Sequence, residues 1–209
     1  MLSNKEFDLW ADDYDRSVGV SDEDGTYPFA GYKAVLDTIY KRILSSSGKT
    51  VFDIGFGTGV LSSKLYEHGC VVYGQDFSAK MLALAQEKMP NARLFQGDFS
   101  KGLTEPLTLQ KYDAIIATYS LHHLTDLQKV DFINRLLPLL NDGGCIYIGD
   151  VAFATRTDLE KCKTDAGNDW DDDEIYFVFD ELKIAFPQMR FEKMSKCAGL
   201  LTLRLDRLS

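Results

Sequence analysis

From residue 50 onward the chain alternates short apolar runs with amphipathic stretches. "TVFDI", "CVVYGQD", "ARLFQGD", "YDAIIATY" and "CIYIGDV" are compact, apolar segments that read as five strands. Between them the apolar positions fall at helical spacing. "TGVLSSKLYEHG" carries Leu61 and Leu65 and stops at Gly69, while "AKMLALAQEKM" has Ser78 as its N-cap and ends before Pro90. "TDLQ", Thr125 to Gln128, fits a capping box. It opens a helix with the stripe Leu127, Val130, Ile133, Leu137 and Leu140, which Gly143 and Gly144 are expected to end. Parallel strands need crossovers, so this alternation predicts a mostly parallel sheet with helices on both faces.

The two ends depart from that rhythm. Phe7, Trp10 and Tyr14 share a helical face, and Tyr32, Val35, Leu36, Ile39, Tyr40 and Ile43 make a wider stripe. The polar stretch with Asp22, Glu23 and Asp24 separates them. After residue 151 the pattern gives a helix, an acidic loop "NDWDDDEIY", and a helix ending near Pro187. Two strand candidates follow around Gly199, with Leu201, Leu203 and Leu205 alternating against polar neighbours. Such a pair suits an antiparallel hairpin. The 209 residues therefore read as one α/β domain: a helical cover or lid over 1–48, a core over 49–151, and acceptor-side helices with a final hairpin over 152–209.

Charge narrows the chemistry. The formal net charge is −9 and no Lys/Arg cluster is visible, which disfavours a nucleic-acid substrate. The N-terminal "MLSNKEFDLW" lacks the apolar core of a signal peptide, and no run approaches the ~18 apolar residues of a membrane span. Cys70, Cys145, Cys162 and Cys197 form no C-x-x-C pair and read as packed thiols of a cytoplasmic protein. With three histidines and no H-x-x-x-H or Cys/His spacing, no bound metal is expected.

The stretch "VFDIGFGTGV" carries the candidate chemistry. Gly55, Gly57 and Gly59 alternate between a strand and a helix, the place where doubly wound sheets bind ligands. A dinucleotide fingerprint would need Gly or Ala where Val60 stands. Asp53, two residues before Gly55, is a poor neighbour for pyrophosphate and a good one for a cation. S-adenosylmethionine, with its ammonium and sulfonium, fits both the close backbone and the acid. Asp76 ends the second strand, where a carboxylate can accept from both ribose hydroxyls. Asp98 ends the third, where it can accept from an adenine amino group while Phe77 or Phe99 packs on the ring.

"VFDIGFGTG", "VYGQDFS", "FQGDFS", "YDAIIATYSLHHLTD" and "LLPLLNDGGCIYIGD" together resemble the successive motifs of class I S-adenosylmethionine-dependent methyltransferases. "FDLWADDYDRSV" adds a likeness to the YrrT-like group of bacterial small-molecule methyltransferases. The resemblance covers about residues 5 to 151 and implies a doubly wound, Rossmann-like seven-stranded sheet ending in an antiparallel hairpin. It implies that the Gly55–Gly59 backbone meets the methionine part of the cofactor, with Asp76 on the ribose, Phe77 beside the adenine, and Asp98 with Phe99 near its amino group. The segment from Thr118 to His123 would border the methionine end and the acceptor. Phe56 departs from the family, where a small residue or Pro is commoner, and is expected to point away from the ligand.

Methyl transfer from a sulfonium asks an enzyme mainly to align the acceptor and exclude water. A base is needed only where the acceptor must lose a proton. Tyr14, Tyr119, His122 and His123 are the acceptor-side candidates, with Tyr14 reaching in from the N-terminal lid. His68, at a helix end, reads as a surface residue. Alternative readings are a non-catalytic protein that binds S-adenosylmethionine or S-adenosylhomocysteine, and a nicotinamide-dependent oxidoreductase. The absence of N-P-P-Y after the fourth strand and the acidic balance favour a small-molecule acceptor.

Overall fold

The computed structural model describes residues 25–204. The N-terminal lid with Phe7, Trp10 and Tyr14, and the terminal Leu205, lie outside the described residues. Seven helices and eight strands are described: α1 (Tyr32–Ser45), β1 (Thr50–Ile54), α2 (Val60–Glu67), β2 (Val71–Asp76), α3 (Ala79–Lys88), β3 (Arg93–Gln96), α4 (Glu105–Thr108), β4 (Tyr112–Thr118), α5 (Asp126–Leu136), β5 (Leu140–Phe153), α6 (Arg156–Ala166), β6 (Phe177–Val178), α7 (Phe179–Ala185), β7 (Arg190–Lys193) and β8 (Ala198–Arg204).

The strand order is β3-β2-β1-β4-β5-β8-β7, with the two-residue β6 beside β5. β1 to β5 run parallel, whereas β8 is antiparallel to both β5 and β7. This is the expected doubly wound sheet, closed by the expected hairpin. Gly199 lies inside β8, paired with Asp150 and Lys193, so the hairpin turn precedes it.

Two apolar layers flank the sheet. One collects Val35, Ile39 and Ile43 of α1, Leu61 and Leu65 of α2, Ala85 of α3 and Leu159 of α6. The other collects Leu107 of α4, Phe132, Ile133 and Leu136 of α5 and Leu182 of α7. The α1 stripe lies hard on β5: a Cβ at Gly149 would stand 2.2 Å from Val35 Cγ1. All four cysteines are buried and free, and burial pushes the Cys162 thiol up to about 11.

The α5 reading needs correction. Thr125 and Gln128 make the capping box, but Leu127 is 81% exposed, and the buried positions are Lys129, Phe132, Ile133 and Leu136. α5 ends before Leu140, which already belongs to β5. Gly143 and Gly144 sit within that strand, where its register against β4 shifts between Tyr112 and Ala114. A Cβ at Gly144 would meet Tyr112 O at 3.0 Å and Asn141 O at 2.8 Å. The glycine pair thus serves close backbone approach at a bulge, not a helix stop.

Candidate functional site

The strand order reverses between β1 and β4, so the chain leaves their carboxyl ends in opposite directions and opens a crevice there. A solvent-open cleft occupies it, with about 690 Å³ of empty space counting the solvent at its mouth. Its lining includes Asp53, Gly55, Gly57, Asp76, Phe77, Phe99 and Thr118 from the sequence reading. Gly59 and Asp98 are not on its wall.

The three loop glycines have distinct reasons. All adopt positive φ, at 67°, 56° and 74°, so the turn itself requires them. Sequence reasoning assigned all three to ligand approach. A Cβ at Gly55 would instead stand 2.6 Å from Ser120 Cβ, and one at Gly59 would press on Met89 and Ala85. At Gly57 it would meet nothing within 4 Å, so this glycine alone leaves open space. Phe56 is buried with its ring packed over Gly74 of β2, and the residue borders the cleft.

The acids divide in the same way. Asp53 is buried, with Oδ2 accepting from Ser62 Oγ and Oδ1 having no partner among the described residues. Burial, opposed by Ser62 and aided by Asp76, pushes its carboxyl up to about 7. Asp76 braces the loop: Oδ2 accepts from Gly57 N and Oδ1 from Ser78 N, both at 2.9 Å. Asp98 turns to its own turn, accepting from Ser100 N and Oγ and facing Lys101 at 2.9 Å. Burial raises its carboxyl, and these partners lower it further, to a net value below the ordinary one.

The opposite wall grows from the end of β4. Tyr119 holds a φ of 50°, strained for a bulky residue, and its ring packs against Phe29 and Tyr32 at 5.4 and 5.1 Å. Ser120 Oγ donates to Ile54 O, tying this wall to β1. A single 3-10 turn, Leu121–His123, then sends the two histidines in different directions. His123 lines the cleft. His122 is buried, its Nδ1 2.7 Å from Asp150 Oδ1 and its Nε2 3.3 Å from Glu174 Oε1. Burial alone would lower His122, but Asp150 and Glu174 raise it on balance. Burial and the neighbouring His122 push His123 down to about 4.

Glu174 arrives through the acidic stretch, which is tied down rather than loose. Ile175 N donates to His122 O, and Lys129 Nζ donates to Ile175 O from above the Phe177 ring. Trp170 stacks on Tyr27 at 5.0 Å, and the Tyr27 and Tyr176 hydroxyls bond each other. Tyr176 Oη donates to Glu174 Oε2 at 2.7 Å. Asp172 pairs with Lys163.

Comparison with known proteins decides the family. Residues 51–144 match the family model described as a methyltransferase domain. An uncharacterized methyltransferase of Anoxybacillus flavithermus is 40% identical over 154 residues, spanning 74% of this chain and 69% of the relative. Another from Geobacillus thermodenitrificans is 38% identical over 193 residues, spanning 88% and 86%. The chain belongs to the class I S-adenosylmethionine-dependent methyltransferases. Among solved structures, the methyltransferase fold is similar to magnesium protoporphyrin IX methyltransferase from Synechocystis PCC 6803 with bound S-adenosylhomocysteine. That likeness has a TM-score of 0.66 and 20% identity, and covers 85% of each chain. S-adenosylmethionine is the methyltransferase's cofactor, and the nicotinamide reading is set aside. The residues present suit that group. The unpartnered, buried Asp53 Oδ1 answers an ammonium, and the space beside Gly57 admits a ligand against the backbone.

Sequence reasoning did not single out Asp150 and Glu174, which meet His122, or Tyr32, which lines the cleft. Asp150 carried a usable signal, since it lies near the carboxyl-end side of a strand as Asp76 does. Glu174 carried none, because its approach to His122 is fixed by packing between distant segments. No helix of the described residues is long and apolar enough to cross a membrane.

Proposed function

We propose that this methyltransferase modifies a small-molecule acceptor seated between the glycine loop and the wall of Tyr32, Tyr119, Ser120 and His123. The observation that carries this reading is the lining of that end of the cleft: aromatic faces with a neutral imidazole, and no Lys or Arg among the described lining residues. That surface suits an uncharged or cationic nucleophile such as a thiol, hydroxyl or amine, and offers nothing to a phosphate backbone.

When bound, the cofactor would supply a methyl group on sulfur, open to displacement by an acceptor's lone pair with the sulfur keeping the S–C electron pair as a neutral thioether. The chain's own contribution is orientation. Asp53 Oδ1 would hold the ammonium end, Asp76 would take the ribose while bracing Gly57, and Phe77 and Phe99 would hold the adenine. Tyr32 and Tyr119 shape the acceptor's approach and exclude water, which favours alignment for an in-line displacement.

A screen of small thiols, amines, phenols and carboxylates with labelled methyl donor tests this reading. Turnover of at least one class, with Tyr119→Ala raising KM, is expected. Label appearing only in protein or nucleic acid from a lysate would overturn it.

A further inference from the structure

The same 3-10 turn that presents His123 to the cleft also gathers it with His122 and Glu174 into one set of donors. One donor atom from each of His122, His123 and Glu174 lies within 4.8 Å of the other two. We propose that these three side chains form a binding site for a divalent transition-metal ion, zinc in the first instance, at the acceptor end of the cleft.

Two imidazoles and one carboxylate are a donor set that suits zinc and its neighbours rather than magnesium or calcium, which favour all-oxygen shells. The supporting contacts are those of a built site. Asp150 Oδ1 takes Nδ1 of His122 at 2.7 Å, which fixes the ring and leaves Nε2 directed at Glu174 Oε1. Tyr176 Oη holds the second oxygen of Glu174 at 2.7 Å. The carbonyl of His122 is itself fixed by Ile175 N at 2.9 Å. Ligands ~2.0–2.2 Å from a tetrahedral ion stand roughly 3.4 Å apart, so loading draws donor atoms that lie within 4.8 Å together by up to about 1.4 Å. His123 and Glu174 are only partly buried and can make that move. The charge also suits a cation. Asp150 and Glu174 both face His122, and Lys129 Nζ is already engaged by Asp126 and Ile175 O. An ion would bind at Nε2 on the Glu174 side, while Nδ1 keeps its hydrogen toward Asp150.

Three protein ligands leave one position open, the arrangement of catalytic rather than structural zinc. His123 faces the cleft, so that position is on the acceptor's side. A thiol or hydroxyl bound there would lose its proton to solvent and present the anion as nucleophile. This role rests on the small-molecule reading above; the metal site itself does not.

The test uses the full chain, stripped with a chelator and titrated with Zn²⁺ against a chromophoric competitor. One equivalent should bind. His123→Ala and Glu174→Gln should each weaken it by at least ~10–100-fold, the loss seen for an outer-shell partner alone. His68→Ala, at the remaining histidine, should bind as wild type does. Near-UV circular dichroism and S-adenosylhomocysteine calorimetry on each variant report the fold and the cofactor site separately. No stoichiometric zinc, or binding that survives both substitutions in folded protein, overturns the metal site even where the cofactor binds. Normal zinc binding without any response to S-adenosylhomocysteine would instead count against the placement of the cofactor in this cleft, and leave the metal site standing.

Discussion

His122 Nδ1 lies 2.7 Å from Asp150 Oδ1, and both side chains are withdrawn from solvent. The pair joins the 3-10 turn after β4 to the carboxyl-end part of β5, where Asp150 also pairs in register with Gly199 of β8. Removing one partner of a buried pair leaves the other uncompensated, at a cost of about 3–5 kcal/mol. Asp150→Ala should therefore lower the unfolding free energy of chelator-treated protein, read by urea titration, by that order. A loss below about 1 kcal/mol would mean that Glu174 alone suffices to hold His122.

Asp53 should reduce the stability of the ligand-free protein at neutral pH. Its carboxyl is raised from the ordinary 3.8 to about 7, so the folded state holds the proton more tightly than the unfolded chain. The cost is absent below about pH 4, grows as the pH rises toward 7, and is constant above. Three units correspond to roughly 4 kcal/mol. The stability difference between Asp53→Asn and wild type should grow in favour of the variant across that window, while the variant binds S-adenosylhomocysteine more weakly at pH 8. A difference independent of pH would show that Asp53 is ionised throughout.

Gly55→Ala and Gly57→Ala should separate folding from binding. Both force an alanine into left-handed backbone, at about 1–2 kcal/mol. Only at Gly55 does the new methyl also meet a neighbour, Ser120 Cβ at 2.6 Å. Thermal melts should therefore show the larger loss for Gly55→Ala. Cofactor calorimetry should show Gly57→Ala folded yet impaired, because its methyl enters the open side of the loop. Equal melts would remove the distinction between the two positions.

The alternation of strands and helices was legible because each element's burial repeats with its own period. The glycine loop was legible too, but for a mixed reason. Its three positive-φ residues answer the turn first, and only Gly57 faces open space. Leu127 and the Gly143–Gly144 pair misled because local periodicity does not reveal where a sheet reclaims the chain; β5 begins at Leu140. The sequence showed no histidine spacing motif, and the approach of Glu174 to His122 was not legible because it crosses two intervening helices of sequence and is fixed by contacts of Ile175 and Lys129. Asp98 read as an adenine partner by position, while its carboxylate is engaged by Ser100 and Lys101.

Asp76 is the most direct probe of the site. It was expected to matter to the cofactor and little to the fold, but it accepts from Gly57 N and Ser78 N and so braces the loop as well. Calorimetric titration of S-adenosylhomocysteine into wild type and Asp76→Ala is the measurement that decides whether the cofactor occupies this cleft. One bound equivalent in wild type, with affinity reduced roughly tenfold to a hundredfold in a still-folded variant, is the predicted result, as hydrogen bonds to a charged acceptor contribute ~1.5–3 kcal/mol. An unchanged dissociation constant in the variant would contradict it and place the ribose elsewhere.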